Sequence, residues 1–272
     1  MRYSASTVLR EDWAAAVRAG LGHYRCFELA CPAARVPRSR AGRKTLERLR
    51  RQHGLTYSVH APFRDLDPAA SDAGLLRASR QLYLQALDTG AELQAELVVM
   101  HPATVSMEEW STLTPGRRRA VRQREIATFR ELAARAAQLE VRIGLENMPV
   151  FRAARDVTWL EEVWQAVGSP WLGFTVDVGH AHSAGIPPAL VLQHLGRRVW
   201  HVHVHDNPGG GDHHRAIGEG TVDWASVAEA LVDLDYPGLV VDEAMDLPAQ
   251  LRGGPRLRRM VARAQRARGL LR

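Results

Sequence analysis

An α/β chain that closes into one (β/α)8 (TIM) barrel, with its active site at the C-terminal ends of the strands, is the fold this sequence predicts. Three observations carry the prediction. The chain has 272 residues, which suits the roughly 250 residues such a barrel takes as a single domain, here 1–272. Strand-like and helix-like runs alternate from end to end, and eight β-then-α units fit a closed parallel cylinder better than an open sheet. At least six of the eight strand-like runs end in His, Asp or Glu. An open doubly wound sheet would not bring all eight strand ends to one rim.

The elements follow in order. Tyr3–Val8 is a first short apolar run, followed by a brief helical segment, Glu11–Ala19. Tyr24–Ala30 leads to Arg43–Gln52, where Leu46 and Leu49 sit at helical spacing among charges. Thr56–His60 and Leu97–His101 flank the long helical run Ala73–Glu92. Arg117–Glu140, rich in arginine, precedes Arg142–Glu146. Val157–Val167, Gly173–Asp177 and Pro188–Leu195 come next, then Val199–His205. Pro208 and Gly209-Gly210-Gly211 open a long loop after that seventh strand, and long loops at this end of a barrel carry function. Asp223 is a plausible N-cap for Trp224–Leu234. Leu239–Glu243 and the Arg-rich helix Leu247–Arg268 complete the set.

The composition bounds the class. At 46% hydrophobic and 24% charged, the chain can bury a large core beneath a polar surface. No run reaches the roughly 20 apolar residues of a membrane span, and no apolar signal core precedes the first strand. A cytoplasmic protein without a membrane partner is expected, its oligomeric state open. The net charge is +6, but Lys44 is the only lysine, so the excess reads as a compositional habit. It favours a small anionic substrate over nucleic acid, which stays the weaker alternative. Cys26 and Cys31 match no zinc spacing and read as packed side chains in a reducing compartment.

Strand parity places the polar groups. Side chains alternate faces along a strand, so His201, His203 and His205 share one face while Trp200, Val202 and Val204 share the other. Gly144 with Glu146, and Thr175 with Asp177, follow the same rule. Polar residues inside a barrel are costly unless something satisfies them, and a cation does so. His60, His101, Glu146, Asp177, His203 and Glu243 end or nearly end strands, and His180, Asp212 and His214 follow in loops. These nine suit Zn, Mn or Fe(II) in a site of two or three ions; no organic cofactor is expected. His201 reads as a buried histidine one layer below, and His205 and Asp206 as groups that orient His203 or His180.

The ordered pieces Val59-His60-Ala61-Pro62-Phe63, Met100-His101-Pro102, Leu145-Glu146-Asn147, Asp177-Val178-Gly179-His180-Ala181-His182 and His203-Val204-His205-Asp206-Asn207 are followed by Asp212-His213-His214, Gly218-Glu219-Gly220 and Asp242-Glu243. In that order they resemble the xylose isomerase-like barrel superfamily, which includes endonuclease IV and the sugar phosphate isomerase/epimerases. The resemblance implies that all nine residues match the three-metal set of endonuclease IV, with Glu146 bridging. It departs in the DNA-gripping parts: Phe63 stands where a Tyr is expected, Met148-Pro149-Val150 replaces a Gly-rich stretch, and Arg35, Arg38 and Arg40 lack the family's pattern.

Two chemistries follow. Hydrolysis of a phosphoester or related bond, in a phosphorylated or sugar-containing substrate, would use all nine ligands, with Glu146 and Glu243 catalytic and His182 or Arg215 steadying a phosphate oxygen. This is the main expectation. The alternative is isomerisation or epimerisation of a sugar (phosphate), for which Glu146, Asp177, His203 and Glu243 match the family's Glu, Asp, His, Glu set.

Overall fold

A computed structural model describes residues 1–7, 12–31 and 40–271. Its eight strands are β1 Arg2–Ser6, β2 Cys26–Ala30, β3 Thr56–His60, β4 Leu97–Met100, β5 Arg142–Glu146, β6 Leu172–Asp177, β7 Val199–Val204 and β8 Leu239–Asp242. All neighbours are parallel and the sheet closes, β1 pairing with both β2 and β8. The predicted barrel is thus the observed fold. Val8, expected at the end of the first strand, lies outside the described residues.

His101, His205 and Glu243, expected as the last residues of strands, each stand one residue or less beyond the ladder. The reasons are local. Pro102 has no N–H to extend β4. After His205 the chain turns into an antiparallel bridge, Asp206 N donating to Arg215 O and Arg215 N to Asp206 O at 2.9 Å each. Glu243 keeps one ladder-like bond, its N donating to Val204 O at 3.0 Å.

Ten helices among the described residues surround the barrel: α1 Trp13–Gly20, α2 Arg40–His53, α3 Ala73–Glu92, α4 Met107–Thr112, α5 Pro115–Leu139, α6 Val157–Val167, α7 Val178–Ser183, α8 Pro188–Leu195, α9 Trp224–Asp233 and α10 Leu247–Ala267. Caps start many of them. Asp223, as expected, accepts from Ser226 N at 3.1 Å to open α9, and Asp72, Asp156 and Asp246 do the same for α3, α6 and α10. The Arg-rich α10 is half-solvated; Leu257, Val261 and Ala264 on one side are buried.

The main core lies between sheet and helices, around Phe27, Tyr57, Tyr83, Phe129 and Phe174, all essentially buried. Each such side chain contributes about 1.5–3 kcal/mol by leaving water. Cys26, Leu239 and Val241 form a separate apolar cluster on the face of their strands that parity assigns to the lumen. Above it the lumen turns polar. Gly144 is needed there, because a Cβ would stand 2.2 Å from Thr175 Oγ1. Both cysteines are buried and unpaired.

Candidate metal centre

The strand ends bring the nine predicted ligands to one place. Glu146 is the hub. Its Oε2 lies 3.3 Å from His60 Nε2 and 3.1 Å from His101 Nε2. Its Oε1 lies 2.8 Å from His203 Nδ1 and 3.7 Å from His180 Nδ1. Each oxygen faces a different set of histidines. His203 Nδ1 also stands 3.5 Å from Glu243 Oε2 and 3.8 Å from Asp177 Oδ2. A second group surrounds Asp212: its Oδ2 is 3.4 Å from His180 Nε2, and its Oδ1 is 3.2 Å from His214 Nε2 and 3.4 Å from His205 Nε2.

Local sequence explains the aim of each ring. Asp177 caps α7, its Oδ1 accepting from His180 N at 2.6 Å, so the Asp-x-x-His spacing makes a helical turn. His180 was expected in a loop; it lies in this helix because the cap nucleates it. His60, His180 and His214 hold Nδ1 against backbone carbonyls of Ala61, Asn147 and Glu243 at 2.8, 2.8 and 2.9 Å. A carbonyl only accepts, so Nδ1 must carry the proton, and Nε2 turns toward the carboxylates. His214 reaches its position with φ of 46°, a left-handed conformation that costs a non-glycine residue about 1 kcal/mol or more and persists where the surroundings enforce it.

Burial and charge pull these groups apart. Desolvation opposes ionising Glu146, yet His203, His101 and His60 outweigh it and hold the carboxylate well below its usual range. Glu243 is pushed up to about 7, by burial first, with Glu28 and Glu146 adding repulsion against the pull of His203 and His214. Burial works against protonating His203 and His180, but surrounding acids raise both well above the ordinary value. His214 rises to about 9 by the same contest, burial opposing its charge and the adjacent Asp212 carboxylate giving the largest favourable part.

A divalent cation fits these donors. Asp177 Oδ2, Asp212 Oδ1, Glu146 Oε2 and both ring nitrogens of His205 are buried without a hydrogen-bond partner among the described residues, which costs free energy unless an ion satisfies them. Two four-residue groups, Glu146–Asp177–His203–Glu243 and His180–His205–Asp212–His214, each keep ligand atoms within 4.8 Å of one another. Imidazole nitrogens and carboxylate oxygens together are donors that divalent metal ions accept.

His60, His101, Glu146, His180, Asp212, His214 and Glu243 line an open pocket of about 280 Å³, with Phe63, Arg64 and Met245. The two residues expected to steady a phosphate are not among them. His182 Nε2 pairs with Thr221 Oγ1 at 2.8 Å, and Arg215 turns to Glu219 O at 3.3 Å. Both neighbour ligands in sequence, but their side chains point along the loop after β7. The described arginine at the pocket is Arg64. Arg35 and Arg38 lie outside the described residues, as does the side chain of Arg40.

Three further roles differ from expectation. His205 sits inside the centre, 3.2 Å from Asp177 Oδ1 and stacked on His214 at 3.9 Å, where the sequence suggested an orienting group. Asp206 orients no histidine; it accepts from Asn207 N, Gly218 N, Val222 N and Trp224 Nε1 at 2.8 to 3.2 Å and ties down the loop. Glu28, which sequence reasoning missed, is fully buried under His201 and His203. Its one signal was an acid in the middle of an otherwise apolar five-residue strand.

Comparison with known proteins converges on one family. A family model described as a xylose isomerase-like TIM barrel matches residues 13–260. The uncharacterized protein MJ1311 of Methanocaldococcus jannaschii is 36% identical over 201 residues, 72% of this chain and 67% of that protein. D-psicose 3-epimerase of Enterocloster bolteae is 26% identical over 136 residues, 49% of this chain and 42% of that protein. A probable endonuclease 4 of Mycobacterium leprae is 28% identical over 187 residues, 65% of this chain and 68% of its own. Among solved structures, a D-tagatose 3-epimerase-like protein superposes with a TM-score of 0.88 at 26% identity, over 98% of this chain and 99% of that one.

Proposed function

Because the chain belongs to the xylose isomerase-like TIM barrel family, we propose that it is a divalent-metal-dependent sugar isomerase or epimerase. The observation that carries this reading is the convergence of Glu146, Asp177, His203 and Glu243 with ligand atoms within 4.8 Å of one another, at the floor of a pocket sized for a small molecule. The epimerase-like structure that matches nearly the whole chain supports it. The sequence's first expectation, phosphoester hydrolysis, thereby takes second place.

A divalent ion held by those four residues would polarise adjacent carbonyl and hydroxyl oxygens of a sugar. Glu146 and Glu243 would then do the proton work. One takes the proton from a carbon next to the carbonyl, leaving an enediolate-type electron pair on carbon and oxygen. The other returns a proton, to the opposite face of the same carbon for epimerisation, or to the neighbouring carbon for isomerisation, where the hydroxyl hydrogen also passes to the former carbonyl oxygen. The pair ends with its protons exchanged, and a second turnover restores them. Phe63 and Met245 form the apolar wall, and Arg64 is placed to hold a substrate oxygen.

A specific observation favours hydrolysis as the second reading: the His180–His205–Asp212–His214 group beside Glu146 could hold a further cation, and isomerisation does not need one. The test is metal content after loading with Mn²⁺ or Zn²⁺, followed by incubation with ketoses in D₂O. One ion per chain, and solvent deuterium entering the carbon next to the carbonyl, is the expected result. Glu146→Gln should lose both metal and exchange. Two or three ions, with phosphoesters cleaved and no sugar exchanged, would replace the proposal by the second reading.

A further inference from the structure

The rings of the centre are not all held in the same way. His60, His180 and His214 each present Nδ1 to a main-chain carbonyl. That contact fixes which nitrogen carries the proton and points the other at the acids. His203 is reversed: Nδ1 faces Glu146 Oε1 at 2.8 Å and Nε2 points down the barrel. Among the described residues no main-chain carbonyl is paired with it. In that place stands Glu28, reaching into the lumen from β2, with Oε1 at 3.2 Å and Oε2 at 3.3 Å from His203 Nε2.

Glu28 is itself fixed. Ser58 Oγ donates to its Oε2 at 3.0 Å, and His201 Nε2 lies 2.8 Å from the same oxygen. All four side chains are essentially buried, so no water competes for these bonds. Among the described residues no lysine or arginine is paired with Glu28; its partners there are the two histidines and the serine.

We infer that Glu28 is a positioning residue for the proposed reaction, accepting the Nε2 hydrogen of His203 so that its Nδ1 is turned into the space between Glu146 and Glu243. A carboxylate behind a metal-facing imidazole sets the tautomer and ring orientation and raises the donor strength of the other nitrogen. A free ring would rotate about χ2 and offer its Nδ1 elsewhere, because both of its edges meet carboxylates. Glu28 touches no part of the pocket and is not a catalytic residue. Its action runs entirely through His203. The inference rests on the reading of His203 as a metal-facing member of the centre.

The test compares Glu28→Gln with His203→Ala and Ser58→Ala in the intact protein, using Co²⁺ alone as probe and its visible absorption as readout. Loss of a partner behind a ligand typically weakens metal binding by about 10- to 100-fold. Glu28→Gln should fall in that range and shift the Co²⁺ spectrum, as the ligand geometry loosens. A change in His203 nitrogen chemical shifts, seen by NMR without metal, is the second expected signature. Ser58→Ala, which removes one bond to Glu28 and leaves His203 untouched, should weaken Co²⁺ binding in the same direction by a smaller factor. If His203→Ala abolishes Co²⁺ binding while Glu28→Gln binds as the parent does with an unaltered spectrum, the positioning role is overturned. If both bind as the parent does, the reading of the centre itself fails. Should Glu28→Gln not fold, Ser58→Ala decides alone: weakened binding supports the role and parent-like binding refutes it.

Discussion

Gly179 shows how tightly the upper half of the centre is built, and Gly179→Ala is the sharpest probe of it. Gly179 lies in α7 against the His205 ring. A Cβ there would stand 2.1 Å from His205 Cε1, 2.3 Å from Nε2 and 2.4 Å from Nδ1. Carbon atoms pack at about 3.5–4.0 Å, so one or both must retreat by at least ~1.4 Å. The ring has little room. It stacks on His214 at 3.9 Å and 15°, and its Nε2 faces Asp177 and Asp212 at 3.2 and 3.4 Å. The helix is tied as well, since Asn207 Nδ2 donates to Gly179 O at 2.9 Å. Overpacking of this kind costs about 1–3 kcal/mol. At about 2–4 °C per kcal/mol for a chain of this size, the melting temperature of Gly179→Ala should fall by roughly 2–12 °C. The assay is thermal unfolding of Gly179→Ala, His205→Ala and the double variant. Removing the ring makes space for the methyl, so the double variant should be more stable than the two single losses summed, by about 1–3 kcal/mol. A single variant that melts with the parent, or a double variant whose loss is additive, would refute the packing argument.

Two further predictions follow from buried acids outside the centre. Asp206→Ala removes the acceptor shared by Asn207 N, Gly218 N, Val222 N and Trp224 Nε1; leaving buried donors unpaired costs about 1–3 kcal/mol each where no new partner is found, and residues 207–222 should show faster amide hydrogen exchange with β7 itself protected. Glu125→Ala strips the partners of Ala103 N and Trp159 Nε1, at 2.8 and 2.9 Å, and should lower stability by about 2–4 kcal/mol in a denaturant titration; an unchanged midpoint would mean that both donors find other acceptors.

The fold was legible because a parallel barrel repeats one pattern eight times: each strand is short and largely apolar, and six of the eight predicted runs close on His, Asp or Glu. The convergence of the candidate ligands was legible for a related reason: parity along β7 puts His203 on the inner face, with His201 and His205, whatever the rest of the chain does. Glu28 was harder. Parity puts it on the inner face with Cys26 and Ala30, yet its partner His201 lies 173 residues away, and only the closure of the barrel brings the two together. His182 and Arg215 mark the opposite limit. Each stands one or two residues from a ligand, but neighbours in sequence point in different directions, and local geometry sends both toward the loop.

The vertical order of β7 ties fold and centre together. Its inward histidines are spaced about 6.6 Å apart along the strand, and the rings of His201 and His203 lie 5.2 Å apart. The acids follow the same order: Glu28 meets the lower two rings, Glu146 and Glu243 the middle one, and Asp177 and Asp212 the top one, with Asp177 also 3.8 Å from the middle ring. Slipping β7 by one residue would turn all three rings outward and leave these acids buried without them, so the acids help to select the register as much as the apolar face does. Every level also keeps an unpaired atom. Ser58 and both lower histidines brace Glu28 through Oε2, yet Glu28 Oε1, Glu146 Oε2, Asp177 Oδ2, Asp212 Oδ1 and both nitrogens of His205 have no hydrogen bond among the described residues. Buried polar atoms left open along the whole stack carry a desolvation cost that further partners would have to offset.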